Sequence, residues 1–241
     1  MLQKIRGIVL KTTTYSESSV IVQVFTNKFG LQSYLINGVK KPKARIHINM
    51  LQPMHLLDMV AYQKGNGGVQ RVSEARPMPA FRSIPYDIIK STIIQFLNEV
   101  LYKSIRQQGA DEQLFDFIYN STCWFDELEK ADVNFHLSFL MKLTRYLGFA
   151  PSITYREDHL YFDLQEGDFT SLTPLHPYFI EKDEAKILIA LYTISFEHLG
   201  SLTISSIMRR NLLEKILLYY RLHTASFSDI RSHYILEEVL G

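Results

Sequence analysis

The chain has 241 residues, of which 46% are hydrophobic and 12% aromatic, so it can build a real core and is not a wholly disordered protein. No apolar run approaches the roughly 20 residues that a membrane-spanning helix needs, and the first residues lack the apolar segment of a secretory signal peptide. We therefore expect a cytoplasmic protein of one large domain or two modest ones.

The net charge of +1 hides an asymmetry between the two parts of the chain. Residues 1–80 contain eleven Lys or Arg against three acids, a net charge of +8, whereas residues 81–241 contain fifteen against twenty-two, a net charge of −7. A basic first third on an acidic remainder indicates that the first part meets a polyanion and that the rest has another task.

The first 80 residues read as five short strands that are rich in β-branched and aromatic residues. The strands are predicted at 5–12, 20–25, 31–36, 51–62 and 69–75, with turn chemistry between them and a glycine-rich hairpin turn at 65–68. Five strands without an amphipathic helix favour a small β-barrel, with the OB-fold as the leading candidate and an SH3-like barrel as the alternative.

The remainder of the chain, residues 81–241, reads as a helical domain. Apolar residues recur at helical spacing from Ile84, Asp111 is placed to cap a second helix, and Gly148 is placed to end a third. Helices resume at about 183–199, 205–223 and 232–240, and the segment 152–180 between them reads as a hairpin or an ordered loop. The predicted fold class is α+β and multidomain, an OB-fold barrel followed by an all-α domain with an irregular insert.

A basic loop follows the third predicted strand. Asn37-Gly38 is a turn signal, and Pro42 cannot donate to a sheet ladder, so the cations around it should lie on a loop at a strand end. Four like charges in six residues are suited to a nucleic-acid backbone, although a solvated charged loop is the alternative. With Lys11 and Arg71 on neighbouring strands, the predicted single-strand DNA track is Lys11, Lys40, Lys41, Lys43, Arg45 and Arg71.

Aromatic residues are interleaved with the basic residues of the barrel. Bases of single strands stack on aromatic side chains, and such side chains need to be exposed. Tyr15 and Phe29 lie at predicted turns and are the candidates for stacking, whereas Phe25 and Tyr62 are assigned to the barrel interior.

The sequence contains little that indicates catalysis or a cofactor. The eight histidines form no HExxH or HxH arrangement, and the single Cys123 excludes a multi-cysteine metal site. Cys123 lies next to Trp124 in an apolar helix, which favours a buried, inert thiol. We expect a protein without enzymatic turnover and without a bound metal.

Several stretches of the chain together resemble the RecO family of bacterial DNA repair and recombination mediators. The resemblance covers almost the full length, and its N-terminal stretches are specific in order and spacing. Its residues are Ile8–Lys11, Tyr15–Ser18, Phe25–Thr26 with Gly30, Asn37–Lys43, Leu51–Pro53, Leu147–Pro151, Arg221–His223 and Ile230–Ser232.

This resemblance implies an N-terminal OB-fold, a helical second domain, and binding and annealing of single-stranded DNA. It also implies contact with the partner RecR and help in loading RecA onto strands coated by single-strand-binding protein, at the nucleoid. Many members carry a four-cysteine zinc element after the segment that matches Gly148–Pro151. This sequence has no cysteine there, so zinc is not carried over, and we expect packing of Tyr161, Phe162 and Phe169 to stabilise the segment instead.

The helical domain is a candidate for binding the acidic C-terminal tail of single-strand-binding protein. Cations on the third helix and on the late helix are suited to the acidic residues of such a peptide. The candidates are Lys142, Arg145, Arg209, Arg210 and Lys215. Two other functions stay open: an RNA-binding OB protein that acts in translation or ribosome assembly, and a protein-binding adaptor in which the basic loop is incidental.

Overall fold

Five strands form a closed barrel in the computed structural model, which describes residues 1–63, 68–105, 109–225 and 227–241. The strands are β1 (Leu2–Thr14), β2 (Val20–Thr26), β3 (Gly30–Ile36), β4 (Leu56–Tyr62) and β5 (Gln70–Pro77). Their order around the barrel is β1-β2-β3-β5-β4, with β3 and β5 parallel and every other pair antiparallel. This arrangement confirms the predicted OB-like barrel. The predicted turn at 65–68 lies largely outside the described residues.

Strand β1 is long enough to pair with two neighbours. Its first part, Leu2–Ile8, pairs with β4, and its second part, Gly7–Thr14, pairs with β2 across a register shift between Val9 and Lys11. Gly7 lies where the two pairings overlap, and a β carbon there would collide with the side chain of Val24. A bulge and a glycine at this point let one strand bend around the barrel.

The barrel interior is filled from the strands and from the loop that follows β3. Val22, Val24 and Tyr34 belong to this core, and so do Val39 and Ile46 from the loop. A short 3-10 helix, Ile48–Leu51, follows the loop and adds Leu51. The loop is therefore part of the hydrophobic core at one end of the barrel.

Two helices share a compact unit with the barrel, which extends from Met1 to Glu129. They are α1 (Ile88–Ser104) and α2 (Glu112–Glu127), and the predicted cap Asp111 accepts a hydrogen bond from the N–H of Leu114 at 2.9 Å. Asn98 of α1 donates to the carbonyl of Leu10 at 3.0 Å, and Phe115 of α2 packs on Phe25. The two helices cover part of the outer barrel surface.

A buried lysine and a buried aspartate fix the segment between the barrel and α1. The carboxylate of Asp126 accepts the N–H groups of Arg82, Ser83 and Ile84 at 2.7 to 2.9 Å. Lys90, which is fully buried, donates to the hydroxyl of Ser83 at 2.6 Å and to the carbonyl of Leu128. Burial raises the pKa of the Asp126 carboxyl, but the three backbone hydrogen bonds outweigh it, so the pKa is lowered overall.

The second compact unit, Lys130–Gly241, contains the remaining helices. They are α3 (Phe135–Leu147), α4 (Lys182–Thr193), α5 (Ser206–His223) and α6 (Ser232–Leu240). Gly148 ends α3 with a φ of 87°, as predicted. The helix predicted to run to residue 199 ends at Thr193, where Ile194 turns to extended backbone and a 3-10 helix, Phe196–Ser201, follows.

The segment 152–180 forms a hairpin, one of the two structures predicted for it. Strands β6 (Tyr161–Asp163) and β7 (Asp168–Thr170) pair with each other, and β8 (Phe179–Glu181) pairs with the other edge of β6. Phe162 is fully buried, in edge contact with Phe169, whereas Tyr161 is half-buried against Phe179. Within the described parts of the chain, no helix is long and apolar enough to cross a membrane.

Candidate nucleic-acid interface

The basic loop is fixed at both of its ends by buried side chains. Val39 is 1% exposed and Ile46 is 6% exposed, and both belong to the barrel core. The N–H of Val39 donates to the carbonyl of Ser18 at 2.9 Å, and the N–H of Ile48 donates to the carbonyl of Val39 at 3.2 Å. The residues between the two anchors are therefore held against the end of the barrel.

Turns inside the loop set its four cations outward. The N–H of Lys41 donates to the carbonyl of Gly38 at 3.1 Å, and the N–H of Ala44 donates to the carbonyl of Lys41 at 3.0 Å. Gly38 has a φ of 72°, which an L side chain rarely adopts. Lys40, Lys41, Lys43 and Arg45 are all exposed, and none takes part in an ion pair among the described residues. Their positive charges are not compensated by neighbouring carboxylates.

Arg71 lies on a row of residues that crosses the outer surface of all five strands. In this row Thr13 pairs with Ile21, Ile21 with Leu35, Leu35 with Arg71, and Arg71 with Tyr62. We call these five residues the outer row. Leu35 is the last residue but one of β3, so the outer row lies close to the start of the basic loop.

Tyr62 was missed by the sequence reasoning, which assigned it to the barrel interior. It is 47% exposed and directly opposite Arg71 in the sheet. The strict alternation of β4 could have indicated this, since Ala61 points into the core and Tyr62 must therefore point out. Phe25 is buried as expected, but it packs on Phe115 at 6.1 Å and does not belong to the interior cluster.

The two predicted stacking residues lie at different ends of the barrel. Tyr15 is 64% exposed in the β1–β2 turn, and the same turn holds the basic loop through Ser18. In addition, the hydroxyl of Ser19 donates to the side chain of Asn37 at 3.0 Å. Phe29 lies in the β2–β3 turn at the opposite end of those strands and packs, half-buried, against the barrel core.

Lys11 lies on the outer surface of β1 next to α1. Its ammonium donates to the hydroxyl of Tyr102 at 3.2 Å and lies 4.8 Å from the centre of the Tyr102 ring. Tyr102 is uncharged, so this contact does not neutralise the positive charge of Lys11. The basic loop is therefore bonded to the turn that contains Tyr15, whereas Lys11 is held against α1.

Two of the cations proposed for peptide binding have partners within their own unit. Lys142 donates to the carbonyl of Tyr192 at 2.8 Å, and burial lowers its pKa. Arg209 donates to the side chain of Asn134 at 3.1 Å and to the carbonyl of Ile204 at 3.3 Å. These side chains hold α3 and α5 to neighbouring segments.

The other proposed peptide-binding cations are more accessible. Arg145 and Arg210 are exposed, and Lys215 lines a cavity of about 590 Å³ between α5 and α6. Arg221 and Tyr234 also line this cavity, which we call the α5–α6 cavity. Neither was singled out for binding from the sequence, because the contact between these helices has no local sequence signature.

The described residues contain no group of three or more His, Cys, Asp or Glu side chains that could hold a metal ion. Burial raises the pKa of the Cys123 thiol to about 11, and the nearby Glu127 and Asp126 act in the same direction. The thiol is therefore protonated at neutral pH, and its reactivity is low.

An OB-like barrel followed by a helical region agrees with the comparisons with known proteins. The family model described as Recombination protein O N terminal matches residues 1–81, and the one described as Recombination protein O C terminal matches residues 85–229. The chain belongs to the RecO family. The two matches meet between residues 81 and 85, where the barrel ends and the helices begin.

Full-length relatives agree with this assignment to the RecO family. The DNA repair protein RecO of Phocaeicola vulgatus is 34% identical over 241 residues, covering 100% of both chains. That of Bacteroides fragilis is 36% identical over 240 residues, and that of Flavobacterium psychrophilum is 34% identical over 239 residues, each covering 99% of both chains. The chain is thus a DNA repair protein of the RecO family, to which recombination and DNA binding belong.

Proposed function

We propose that this chain binds single-stranded DNA with the basic loop and anneals complementary strands as a recombination mediator. The observation that supports this most strongly is the exposure of Lys40, Lys41, Lys43 and Arg45 between the buried anchors Val39 and Ile46. A loop of this kind presents a fixed set of positive charges to a phosphate backbone without a loss of core packing.

The physical basis of annealing is the repulsion between two phosphate backbones. Cations that neutralise phosphates release condensed counterions and reduce this repulsion, which favours the approach of a second strand. Contacts to phosphates carry no sequence information, so the basic loop serves strands of any sequence. Lys11 and Arg71 extend the positive surface beyond the loop.

Exposed aromatic side chains complete the proposed track. Tyr15 lies in the turn that holds the basic loop, and Tyr62 lies beside Arg71 on the outer row. Stacking of a base on an aromatic ring is worth roughly 1–3 kcal/mol and tolerates every base. Phe29, at the other end of the barrel, would meet a strand only if the strand continued along the whole barrel.

The finer steps of the mediator function are also proposals. They are contact with RecR, recognition of the acidic tail of single-strand-binding protein, and indirect help in loading RecA, without enzymatic turnover, in the cytoplasm at the nucleoid. For the acidic tail we favour the α5–α6 cavity, because Lys215 and Arg221 supply cations there and Tyr234 supplies apolar surface. Three acids also line this cavity, so the peptide would have to reach the cations beside them: Glu214, Asp229 and Glu237. Lys142 and Arg209 are less suited, since both already bind backbone or side-chain acceptors.

A salt titration tests the proposed strand binding. With roughly four to six phosphates neutralised, the logarithm of the binding constant should fall with the logarithm of the salt concentration with a slope of about −3 to −4. Competition between single-stranded DNA and RNA of equal sequence separates the proposal from the RNA-binding alternative. A protein without measurable affinity for either polymer at low salt would be an adaptor.

A further inference from the structure

A second concavity lies on the barrel, away from the basic loop. It has a volume of about 500 Å³ and is lined by β1, β4 and β5 and by the β2–β3 turn. We call it the strand cavity. Its volume falls in the range of roughly 300–1,000 Å³ that is usual for small-molecule sites. The basic loop begins at the other end of β3, so the strand cavity and the loop are separate surfaces.

Two lysines lie together on one side of the strand cavity. Lys4 of β1 and Lys28 of the β2–β3 turn are both exposed, and the ammonium of Lys28 reaches the backbone carbonyl of Lys4 at 3.0 Å. Neither takes part in an ion pair among the described residues. Lys4 and Lys28 thus contribute two cationic side chains to the same side of the cavity, which suits a phosphate.

A carboxylate lies on the other side, two strands away. Lys4 pairs with Val60, and Val60 pairs with Glu74, so the three residues form one row across β1, β4 and β5. Neighbouring strands are about 4.8 Å apart, so the backbones at the two ends of this row are separated by about 10 Å. Val60 is half-buried in the middle, and Glu74 is exposed at the far end.

The adjacent row contributes an arginine. Arg6, Asp58 and Arg76 are aligned across the same three strands. The side chain of Arg6 is held against α2, since it binds Asp116 at 3.2 Å and lies 5.1 Å from the ring centre of Tyr119. Arg76 lines the cavity, and its side chain is 72% exposed and bound to Asp58 at 3.2 Å.

We propose that the strand cavity is a binding site for a nucleoside phosphate, with the phosphate on Lys4 and Lys28 and the edge of the base on Glu74. A row with cations at one end, an apolar residue in the middle and a carboxylate at the other end matches the order of groups along a nucleotide. Val60 contacts the base from below, and the guanidinium of Arg76 stacks on it. The ligand is either a free nucleotide or one residue of a single strand.

The carboxylate makes the site selective for the base. An ionised carboxylate accepts hydrogen bonds only, and its two oxygens suit two neighbouring donors. Guanine presents two neighbouring N–H donors on one edge, whereas thymine presents one. The strand cavity therefore prefers guanine, in contrast to the sequence-independent binding proposed for the basic loop. The discrimination expected for such a pair is about tenfold in affinity.

Calorimetry on the full chain tests this with dGMP, dTMP and inorganic phosphate as probes. The expected result is that dGMP binds about tenfold more tightly than dTMP, and that phosphate alone binds more weakly than either. Glu74→Gln should remove the preference for guanine, and Lys4→Glu with Lys28→Glu should remove binding of both nucleotides. The matched control for the first change is Glu17→Gln, in the β1–β2 turn.

A second arm of the experiment distinguishes the two sources of the ligand. Twelve-residue oligothymidine with and without one central guanine is compared on the same protein. If the oligonucleotide with guanine binds more tightly, the site binds one residue of a single strand. If guanine is preferred only among mononucleotides, the site binds free nucleotides. Only the comparison of oligonucleotides rests on the proposed function. A protein that binds dGMP but no single strand would refute the proposed function, whereas the proposal of a nucleotide site in the strand cavity would stand. Equal affinity for dGMP and dTMP, or a guanine preference that persists in the Glu74→Gln protein, overturns the inference.

Discussion

Acid should destabilise this protein through one buried histidine, His136 of α3. The side chain is 1% exposed, and burial lowers its pKa to about 3, with the Arg209 guanidinium acting in the same direction and a hydrogen bond to the backbone of Val133 opposing both. The folded protein therefore holds His136 neutral at every pH at which it functions. The unfolded chain binds a proton at this residue near the ordinary histidine pKa of about 6.5.

The sign and size of the effect follow from linkage between proton binding and folding. Because the folded pKa lies below the unfolded one, the unfolded state gains protons first, and the stability falls as the pH drops below about 6.5. With a folded pKa of about 3, the loss at pH 5 is about 2 kcal/mol relative to pH 7.5, at 1.36 kcal/mol per pKa unit. At pH 4 it reaches about 3 kcal/mol by the same relation.

Urea denaturation between pH 5 and 7.5 measures this loss, with His136→Gln as the comparison. The glutamine variant cannot take up a proton, so its stability should change less with pH, by about 2 kcal/mol over the range. The other seven histidines are present in both proteins and cancel in the difference. Parallel pH profiles for the two proteins, or a His136 imidazole NMR signal that titrates between pH 5 and 8, would refute the reasoning.

Three further predictions concern other parts of the chain. Asp126→Ala should reduce the free energy of unfolding by about 3 kcal/mol, because three backbone N–H groups lose their acceptor, whereas the neighbouring Glu127→Ala should change it by less than about 0.5 kcal/mol. Lys215→Glu with Arg221→Glu should weaken binding of an acidic peptide with an apolar end at least tenfold in fluorescence anisotropy, and unchanged binding would place that site elsewhere. Elemental analysis of protein purified without chelator should find no stoichiometric zinc, since Cys123 is the chain's single cysteine, and one zinc per chain would contradict this.

The parts of the fold that could be predicted are those with local signals. Asp111 and Ser205 cap the helices predicted to follow them, and Gly148 ends α3 in the left-handed conformation. The basic loop could be recognised because the turn signal, the proline and the four cations are adjacent in the sequence. Its anchoring by Val39 and Ile46 could not, since these residues meet the core only when the barrel has closed.

The parts that could not be predicted depend on contacts between distant segments. Lys142 and Arg209 look like ordinary exposed helix cations, but Lys142 binds an acceptor 50 residues away in the chain, and Arg209 binds one that is 75 residues away. The assignment of α1 and α2 to the barrel unit likewise rests on long-range contacts such as Arg6 with Asp116. The burial of Lys90 is not indicated by the neighbouring sequence either, because the acceptors of its ammonium group come from two separate segments of the chain.

A charge reversal in the basic loop tests most directly whether this loop binds single strands for annealing. Annealing of complementary strands would be followed with Lys40→Glu, Lys41→Glu and Lys43→Glu combined, and Tm would be measured on the same samples. The matched control combines Lys130→Glu, Arg156→Glu and Lys186→Glu, which reverses three exposed charges in the second unit. We expect the loop variant to lose annealing and to show a flatter salt dependence of strand binding, with its Tm unchanged because the reversed side chains are exposed. A loop variant that anneals like the unmodified protein, or one that fails only because it has unfolded, would contradict the account.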